Sequence, residues 1–217
     1  LKLGNRCAED AMDIRALKND KEAEYSGYYK EYGYKVDIVR DLDYENLPLH
    51  YTPIGINADE GKCLEKAQET LISQNIKPVE WKADDKYLSY RNFVISAMNG
   101  VELIGKISKD WVYNEKGTEE NIKRVYQKYR REDDFKVGAS LDFILRYLYE
   151  KGELELVGAY YRNKMMKYAE NNPEEFQKRV DERSVKMEGL NGIIKTQTNI
   201  DSHHRKRGWK EFVRTCG

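Results

Sequence analysis

Several features that would assign this 217-residue sequence to a known class of protein are missing from it. No apolar stretch reaches the about 18 residues that a membrane-spanning helix requires, and no signal-peptide pattern opens the chain. We therefore expect no membrane association. Net charge is also missing, because 38 basic residues balance 38 acidic ones. Any attraction to nucleic acid must then come from local clusters of charge.

Paired cysteines are missing as well. The three cysteines, Cys7, Cys63 and Cys216, are odd in number and form no CxxC motif. This spacing argues against both a disulfide framework and a CxxC metal site, and it indicates a reducing, cytoplasmic compartment. The adjacent histidines His203 and His204 have no companion ligand at metal spacing. Phosphate-binding loops, dinucleotide glycine motifs and nucleophile elbows are not found either. We predict no metal and no cofactor.

The residues that are present favour an ordered helical protein. Only 4 prolines interrupt a chain with 40% hydrophobic residues and 17 tyrosines, and its length suits one domain. We predict a mainly α, multi-helix bundle-like domain, with an α+β fold carrying a small sheet in the N-terminal half as the alternative. The domain is predicted to span residues 1–188, with helices over 118–188. A linker and a basic C-terminal arm follow over 189–217.

Periodicity gives the expected elements of the first half. Cys7, Ala11, Ile14 and Leu17 share one helical face and predict a helix from Arg6 to the low twenties. Four tyrosines continue at helical spacing, which predicts a tyrosine stripe: Tyr25, Tyr28, Tyr29 and Tyr32. Two stretches, Tyr34–Asp41 and Ile76–Asp84, are predicted to be strands. The residues between Asp41 and Ala58 are predicted to form a loop.

Capping residues give the expected helices of the second half. Thr118 is predicted to cap a helix, and Ser140 is predicted to cap a central buried helix that Gly152 ends. Asn172 and Pro173 open the last helix, and its pattern fades at Gly189.

Two basic clusters are candidate contacts for nucleic acid. One lies on the polar face of the helix that Thr118 begins, and the other lies in the C-terminal arm. The predicted nucleic-acid-binding residues are Lys123, Arg124, Lys128, Arg131, Arg205, Lys206, Arg207 and Lys210. Lysine and arginine on one face can follow a phosphate backbone. A solvated helix face and a plain charged tail are the alternatives.

Three aromatic residues are candidate contacts for a protein partner or a second copy of the chain: Tyr28, Tyr29 and Trp209. The first function hypothesis is therefore a non-enzymatic intracellular binding or assembly protein that acts through a protein or nucleic-acid interface. Richness in Lys, Glu, Asn and Tyr is typical of AT-rich genomes. It favours a phage, viral or mobile-element origin.

The competing hypothesis is a metal-dependent nuclease. Glu80 and Lys82 form an E-x-K pattern on a predicted strand, and an acidic residue, Asp37 or Asp41, lies on an earlier strand; we take Asp37 as the candidate. Two carboxylates can hold Mg²⁺ while a lysine positions the attacking water. An edge strand with alternating charges would show the same pattern without any activity.

Overall fold

The computed structural model describes residues 3–17, 19–44, 47–133, 139–198, 208–210 and 213. It is 51% helical and 21% strand, with a six-stranded mixed sheet in the N-terminal half and helices after it. The fold is thus α+β, and the prediction of a mainly α bundle is wrong. The sheet is the part of the molecule that helical periodicity failed to predict.

The sheet is built around its first strand. Strand β1 pairs antiparallel with β3 on one side and parallel with β5 on the other. Strand β3 also pairs with β2 and β4, and β6 extends the sheet beyond β5. The strands are β1 (Arg6–Arg15), β2 (Glu24–Ser26), β3 (Glu31–Asp41), β4 (Pro48–Gly55), β5 (Glu80–Lys82) and β6 (Glu102–Ile104).

Strand β1 replaces the predicted first helix. Its backbone is hydrogen-bonded along both edges, and buried residues such as Cys7 and Ile14 lie on opposite faces. Because helices cover both faces of β1, it lacks the simple alternation of a half-buried strand. The spacing of its apolar residues therefore resembles one face of a helix, but pairing with β3 and β5 makes the segment a strand. The tyrosines predicted to continue that helix instead form the hairpin of β2 and β3.

Two predicted strands are confirmed, and one predicted loop is wrong. Strand β3 contains the predicted Tyr34–Asp41, and β5 lies within the predicted Ile76–Asp84. The predicted loop between Asp41 and Ala58 contains β4, despite Pro48 and Pro53. β4 is an edge strand, where a missing backbone N–H need not break a ladder bond.

The elements bounded within the described residues include six α-helices: α1 (Cys63–Ser73), α2 (Tyr90–Met98), α3 (Glu115–Asp133), α4 (Leu141–Glu150), α5 (Leu154–Asn171) and α6 (Pro173–Thr198). The Ser140 hydroxyl accepts the Phe143 N–H and caps α4 as predicted. Thr118 lies inside α3 and does not cap it. α4 is not the central buried helix, because Leu141 and Phe143 are each 42% exposed. α6 continues beyond Gly189, where a linker was expected.

The helices lie on both faces of the sheet. α1 and α2 cover the face of β1 that carries Cys7, and their apolar residues pack with Trp81 in the largest core cluster. α3, α4 and α5 form a second cluster on the far side of α2. α6 crosses the opposite face, where Met187 packs on Ala8. We call these the core face and the α6 face of the sheet.

Gly158 sets how closely α5 approaches α2. A Cβ at this position would lie 2.4 Å from the carbonyl oxygen of Tyr90. We expect Gly158→Ala to lower the free energy of unfolding by about 1–3 kcal/mol, because overpacking outweighs the better helix propensity of alanine. Urea unfolding of wild type and Gly158→Ala measures this difference.

Gly189 provides the matched control, because a Cβ there meets nothing within 4 Å. Gly189→Ala should raise the free energy of unfolding by roughly 0.5–1 kcal/mol through helix propensity alone. Equal effects of the two substitutions would show that the close contact of α2 with α5 does not limit stability.

Candidate active site

The structure separates the three residues of the predicted nuclease pattern. Glu80 and Lys82 pair in register with Arg6 and Ala8 and therefore point to the α6 face. Asp37 pairs with Ala11 and points to the core face. Successive side chains of a strand alternate between faces, so Asp37 is on the opposite side of the sheet from the other two. Asp37, Glu80 and Lys82 do not form one site.

Lys82 is part of an ion-pair network that fastens α6 to the sheet. Its side chain is only 1% exposed, and Nζ lies 3.1 Å from Glu80 Oε1 and also contacts Glu182 of α6. Arg6 contacts the same two carboxylates from β1. Burial alone would raise the pKa of Glu182, but the hydrogen bond and charge of Lys82 and the charge of Arg6 hold it at about 2. Lys82 is thus occupied by structural contacts.

A different pair of carboxylates meets at the carboxyl end of β5. Ala8 pairs with Lys82 in the parallel ladder of β1 and β5. Asp10 and Asp84 each follow two residues later, so their side chains come from neighbouring strands at the same level. Both remain accessible, with side chains 26% and 38% exposed. Asp84 is followed by a short 3-10 turn that leads into α2, which keeps this edge of the sheet open.

Arg183 of α6 joins these two carboxylates. Its Nη1 lies 3.6 Å from Asp10 Oδ2, and its Nη2 donates to Asp84 Oδ1 at 3.1 Å. The guanidinium is largely buried, with a side chain 15% exposed. One cation therefore bridges two carboxylates from adjacent strands.

The environment of Asp10 disfavours its negative charge. Burial raises the pKa of Asp10 to about 6, and the charge of Arg183 only partly offsets this. At neutral pH the Asp10 carboxylate is ionised, and nearby positive charge stabilises it. A divalent cation at this position would supply more of it than one arginine does.

Among the residues that the structure describes, no group of three His, Cys, Asp or Glu side chains is arranged to hold a metal ion. Asp10 and Asp84 offer two carboxylates. Mg²⁺ is commonly bound by one or two carboxylates, with water and substrate phosphate completing its octahedron. The pair fits that mode and does not fit a closed structural metal site.

A second pair of acids lies behind the first, on the core face. Glu9 accepts the Trp81 Nε1–H at 2.8 Å, and the Tyr87 hydroxyl donates to Asp37. Burial and the charge of Asp37 raise the pKa of Glu9 well above its usual range. Burial raises the pKa of Asp37 to about 7, against the hydrogen bonds from Tyr87 and Glu9. Both shifts favour the protonated form of a carboxyl group in this pair.

The basic residues predicted on α3 lie on the surface. Lys123, Arg124, Lys128 and Arg131 are exposed, and none of them is ion-paired within the described part of the chain. The Tyr129 hydroxyl donates to Glu153 at the start of α5, and Gly158 contacts Tyr90 at the start of α2. Helix α3 therefore packs on the α4 and α5 side of α2, away from the sheet.

The predicted C-terminal arm is described only in part. Arg205, Lys206 and Arg207 lie outside the described residues. Trp209 packs on Tyr34 of the same chain, with ring centroids 5.7 Å apart, and its backbone N–H donates to Glu22. Lys210 beside it is exposed.

The predicted partner contacts Tyr28 and Tyr29 lie at the tip of the hairpin. Tyr28 is 86% exposed, and its ring meets that of Tyr29 edge-on at 4.8 Å. Ser26 accepts the Tyr29 N–H within the turn. Both rings are therefore presented by a strand hairpin, where a helical stripe was predicted.

Sequence reasoning missed Asp10, Asp84 and Arg183. Asp10 was hidden because β1 was predicted to be a helix, and Asp84 was predicted only as the end of the strand Ile76–Asp84, without a role in the site. Arg183 is distant in sequence from both acids. The sequence holds no local signal for this pair, because Asp10 lies inside β1 and meets Asp84 only through the register of β1 with β5.

Comparisons with known proteins add little. No family model matches the chain, and no curated protein matches it. One solved structure, the cryo-EM structure of the simian T-cell lymphotropic virus intasome in complex with the PP2A regulatory subunit B56 gamma, contains a chain with 14% identity and a TM-score of 0.36. The match covers 68% of this chain and 47% of that chain.

The structure also bears on the membrane prediction. Within the ranges that it describes, no helix has both the length and the apolar content needed to cross a membrane.

The buried pair Glu9 and Asp37 predicts a pH dependence of stability. Because the folded state keeps a proton that the unfolded chain releases above about pH 4, the pair destabilises the fold as pH rises from about 4 to about 7. Glu9→Gln keeps an acceptor for Trp81 and removes one acid. We expect its free energy of unfolding to fall less between pH 5 and 8 than that of the wild type, by on the order of 1–2 kcal/mol.

Urea unfolding at pH 5 and pH 8 measures this difference. Asp10 contributes equally to the pH dependence of unfolding in wild type and in Glu9→Gln. The exposed substitution Glu69→Gln is the control. Parallel pH dependences of wild type and Glu9→Gln would mean that the buried pair holds no proton.

Proposed function

We propose that this protein is a metal-dependent enzyme that cleaves phosphodiester bonds of nucleic acid, with Asp10 and Asp84 as its metal-binding carboxylates. The observation that carries the proposal is the bridge of Arg183 between these two acids. Two carboxylates from adjacent strands that already share a cation form an open-sided site for Mg²⁺ or Mn²⁺. This proposal keeps the nuclease class but replaces the residues of the E-x-K pattern.

The chemistry follows from the ligand set. Asp10 and Asp84 would hold the divalent ion, which would supply Lewis-acid chemistry and a bound water of lowered pKa for hydrolysis of a phosphodiester. Arg183, with five N–H donors in a planar fork, is suited to contact the phosphate once the carboxylates are neutralised by metal. Because two protein ligands leave most coordination positions open, the substrate itself completes the site.

The basic face of α3 supports nucleic acid as the substrate. Lys123, Arg124, Lys128 and Arg131 present exposed positive charge on a chain with no net charge. A phosphate backbone bound along α3 would show an affinity that falls as salt rises.

A non-enzymatic binding or assembly protein is the second candidate. The observation that favours it is the exposed tyrosine pair at the tip of the hairpin, since tyrosine is enriched at protein interfaces. Such a protein would bind a partner or a second copy through Tyr28 and Tyr29. It would show neither metal binding nor metal-dependent cleavage, so the experiment below separates the two candidates.

The location is proposed to be a reducing compartment. Cys7 and Cys63 are both buried free thiols. Burial raises the pKa of each thiol far above its usual range, which makes them unreactive. These properties suit a cytoplasmic protein.

Asp10→Asn and Asp84→Asn test the proposed function. Wild type should bind Mn²⁺ and nick supercoiled plasmid in Mg²⁺ or Mn²⁺ but not in EDTA. Each variant should lose cleavage by roughly 100-fold or more, because an amide is a far weaker ligand for a hard cation. Titration calorimetry with Mn²⁺ and gel analysis of plasmid measure the two effects.

Glu69→Gln, an exposed substitution on α1, is the control for cleavage. A second check is pH, because metal needs an ionised Asp10 and its pKa is about 6; Mn²⁺ affinity should fall between pH 7 and pH 5. Metal-dependent cleavage that persists in both aspartate variants would rule out this site.

Arg183 and the metal should compete for the same two carboxylates. Arg183→Gln removes the competing charge, so we expect its affinity for Mn²⁺ to rise by on the order of tenfold even as cleavage falls. Calorimetric Mn²⁺ titrations of both proteins measure the change. Arg179→Gln is the matched control, because Arg179 lies one turn earlier on α6 and pairs instead with Glu80 and Glu102. Equal gains in the two variants would show that a general loss of positive charge is responsible.

A further inference from the structure

Arg40 is a buried cation whose donors are mostly unused. It lies in β3 opposite Ala8 of β1, so its side chain is on the α6 face of the sheet. It is 0% exposed. Nη1 donates to the backbone carbonyl of Lys186 in α6. Nε and Nη2 have no hydrogen-bond partner among the described residues.

Such an arrangement is costly without a ligand. Buried charges in proteins are normally paired, and each unsatisfied donor loses its hydration without compensation. Burial lowers the pKa of Arg40 to about 10, which the charge of Asp10 only partly opposes. The guanidinium is therefore still charged at neutral pH. Arg6 on the same face shows the usual solution, with contacts to Asp43, Glu80 and Glu182.

The position of Arg40 relative to Asp10 indicates what is missing. Ala8 and Asp10 are two residues apart on β1 and point to the same face, and Arg40 is directly across from Ala8. The Arg40 side chain therefore starts diagonally across from Asp10 on this face, and the charge of Asp10 acts on it. A guanidinium fork with two open N–H groups matches two oxygens of a phosphate.

α6 covers this region of the sheet largely through charged and polar contacts, which a charged ligand can replace. Between Arg179 and Lys186 its contacts with the sheet are mainly ionic or polar, including those of Glu182 and Arg183. Val180 and Met187 add apolar packing. Added anions compete most with the partly exposed pair of Arg183 and Asp84, whereas the buried pair of Lys82 and Glu182 is screened much less.

We propose that Arg40 is a phosphate-binding residue next to the carboxylate pair, and that α6 closes its site until nucleic acid displaces the Lys186 carbonyl. The inference rests on the proposed function, since it places a substrate phosphate between Arg40 and the metal at Asp10 and Asp84. The ligand class is a phosphate oxyanion, either a phosphodiester of the nucleic acid or free inorganic phosphate.

Arg40→Met tests the proposal with a signature that a purely structural residue would not give. Anisotropy with a labelled oligonucleotide in Ca²⁺ should show at least about tenfold weaker binding, as expected for loss of charge-assisted hydrogen bonds. The thermal midpoint without ligand should stay the same or rise, because a buried unpaired charge is removed. Arg6→Met, which removes a well-paired arginine from the same face, should lower the midpoint.

Two further measurements identify the source of the phosphate and guard against misfolding. Inorganic phosphate should raise the midpoint of the wild type but not of Arg40→Met, if the site accepts the free ion; stabilisation by oligonucleotide alone would assign it to a phosphodiester. Arg40→Lys keeps the charge but loses the fork, so it should bind oligonucleotide with intermediate affinity. It replaces Arg40→Met if that variant does not fold.

Oligonucleotide affinity that is unchanged in Arg40→Met and Arg40→Lys would overturn the proposal, as would equal stabilisation of wild type and Arg40→Met by every phosphate ligand. A wild type that binds Mn²⁺ but neither phosphate nor oligonucleotide would also overturn it and leave the metal site standing. Failure of the wild type to bind Mn²⁺ would instead count against the proposed function itself.

Discussion

The two-sided pairing of β1 is the constraint on which the rest of this structure depends. β3 binds one edge of β1 antiparallel and β5 binds the other edge parallel, so ten residues near the start of the chain organise the whole sheet. Parallel pairing needs a long connection, and here that connection contains β3, β4 and α1. It also brings the carboxyl end of β5 beside the middle of β1. Asp84 and Asp10 meet because of that geometry.

The α6 face of the sheet differs from the core face in how it is covered. On the core face, Trp81 and Cys7 join an apolar cluster under α1 and α2. On the α6 face, the charges of Arg6, Lys82 and Asp10 meet charges of α6. An apolar cover gives stability, whereas a charged cover can be replaced by charged ligands. Asp10, Asp84 and Arg40 all lie on the α6 face, where charged contacts of α6 cover the sheet. We therefore associate the proposed function with that face.

The sequence predicted the elements that depend on local signals. Ser140 caps α4, Gly152 ends it, and β3 was recognised from its alternation. Prediction failed where tertiary pairing overrides local preference. β1 was mistaken for a helix because both of its faces are buried, and β4 was hidden by prolines that an edge strand tolerates. These two errors led to the wrong prediction of a mainly α fold.

The candidate site could be predicted only in part. The E-x-K pattern lies on β5, the strand that precedes Asp84, but its members Glu80 and Lys82 are held by ion pairs to Arg179 and Glu182. Asp84 was visible as part of the same stretch. Its partners Asp10 and Arg183 come from β1 and α6, and no spacing rule connects residues that only the sheet register and helix packing bring together.

Glu9 and Asp10 are neighbours in β1, which limits the kinds of mutation that this strand tolerates. The two acids point to opposite faces, one toward the proton-sharing pair and the other toward the proposed metal. Deleting one residue earlier in β1 would exchange them, turning every following side chain to the other face. Glu9 would then lie under α6 and Asp10 beside Trp81, so the interior and the site would be lost together. Point substitutions can alter β1 gradually, but insertions and deletions within it cannot.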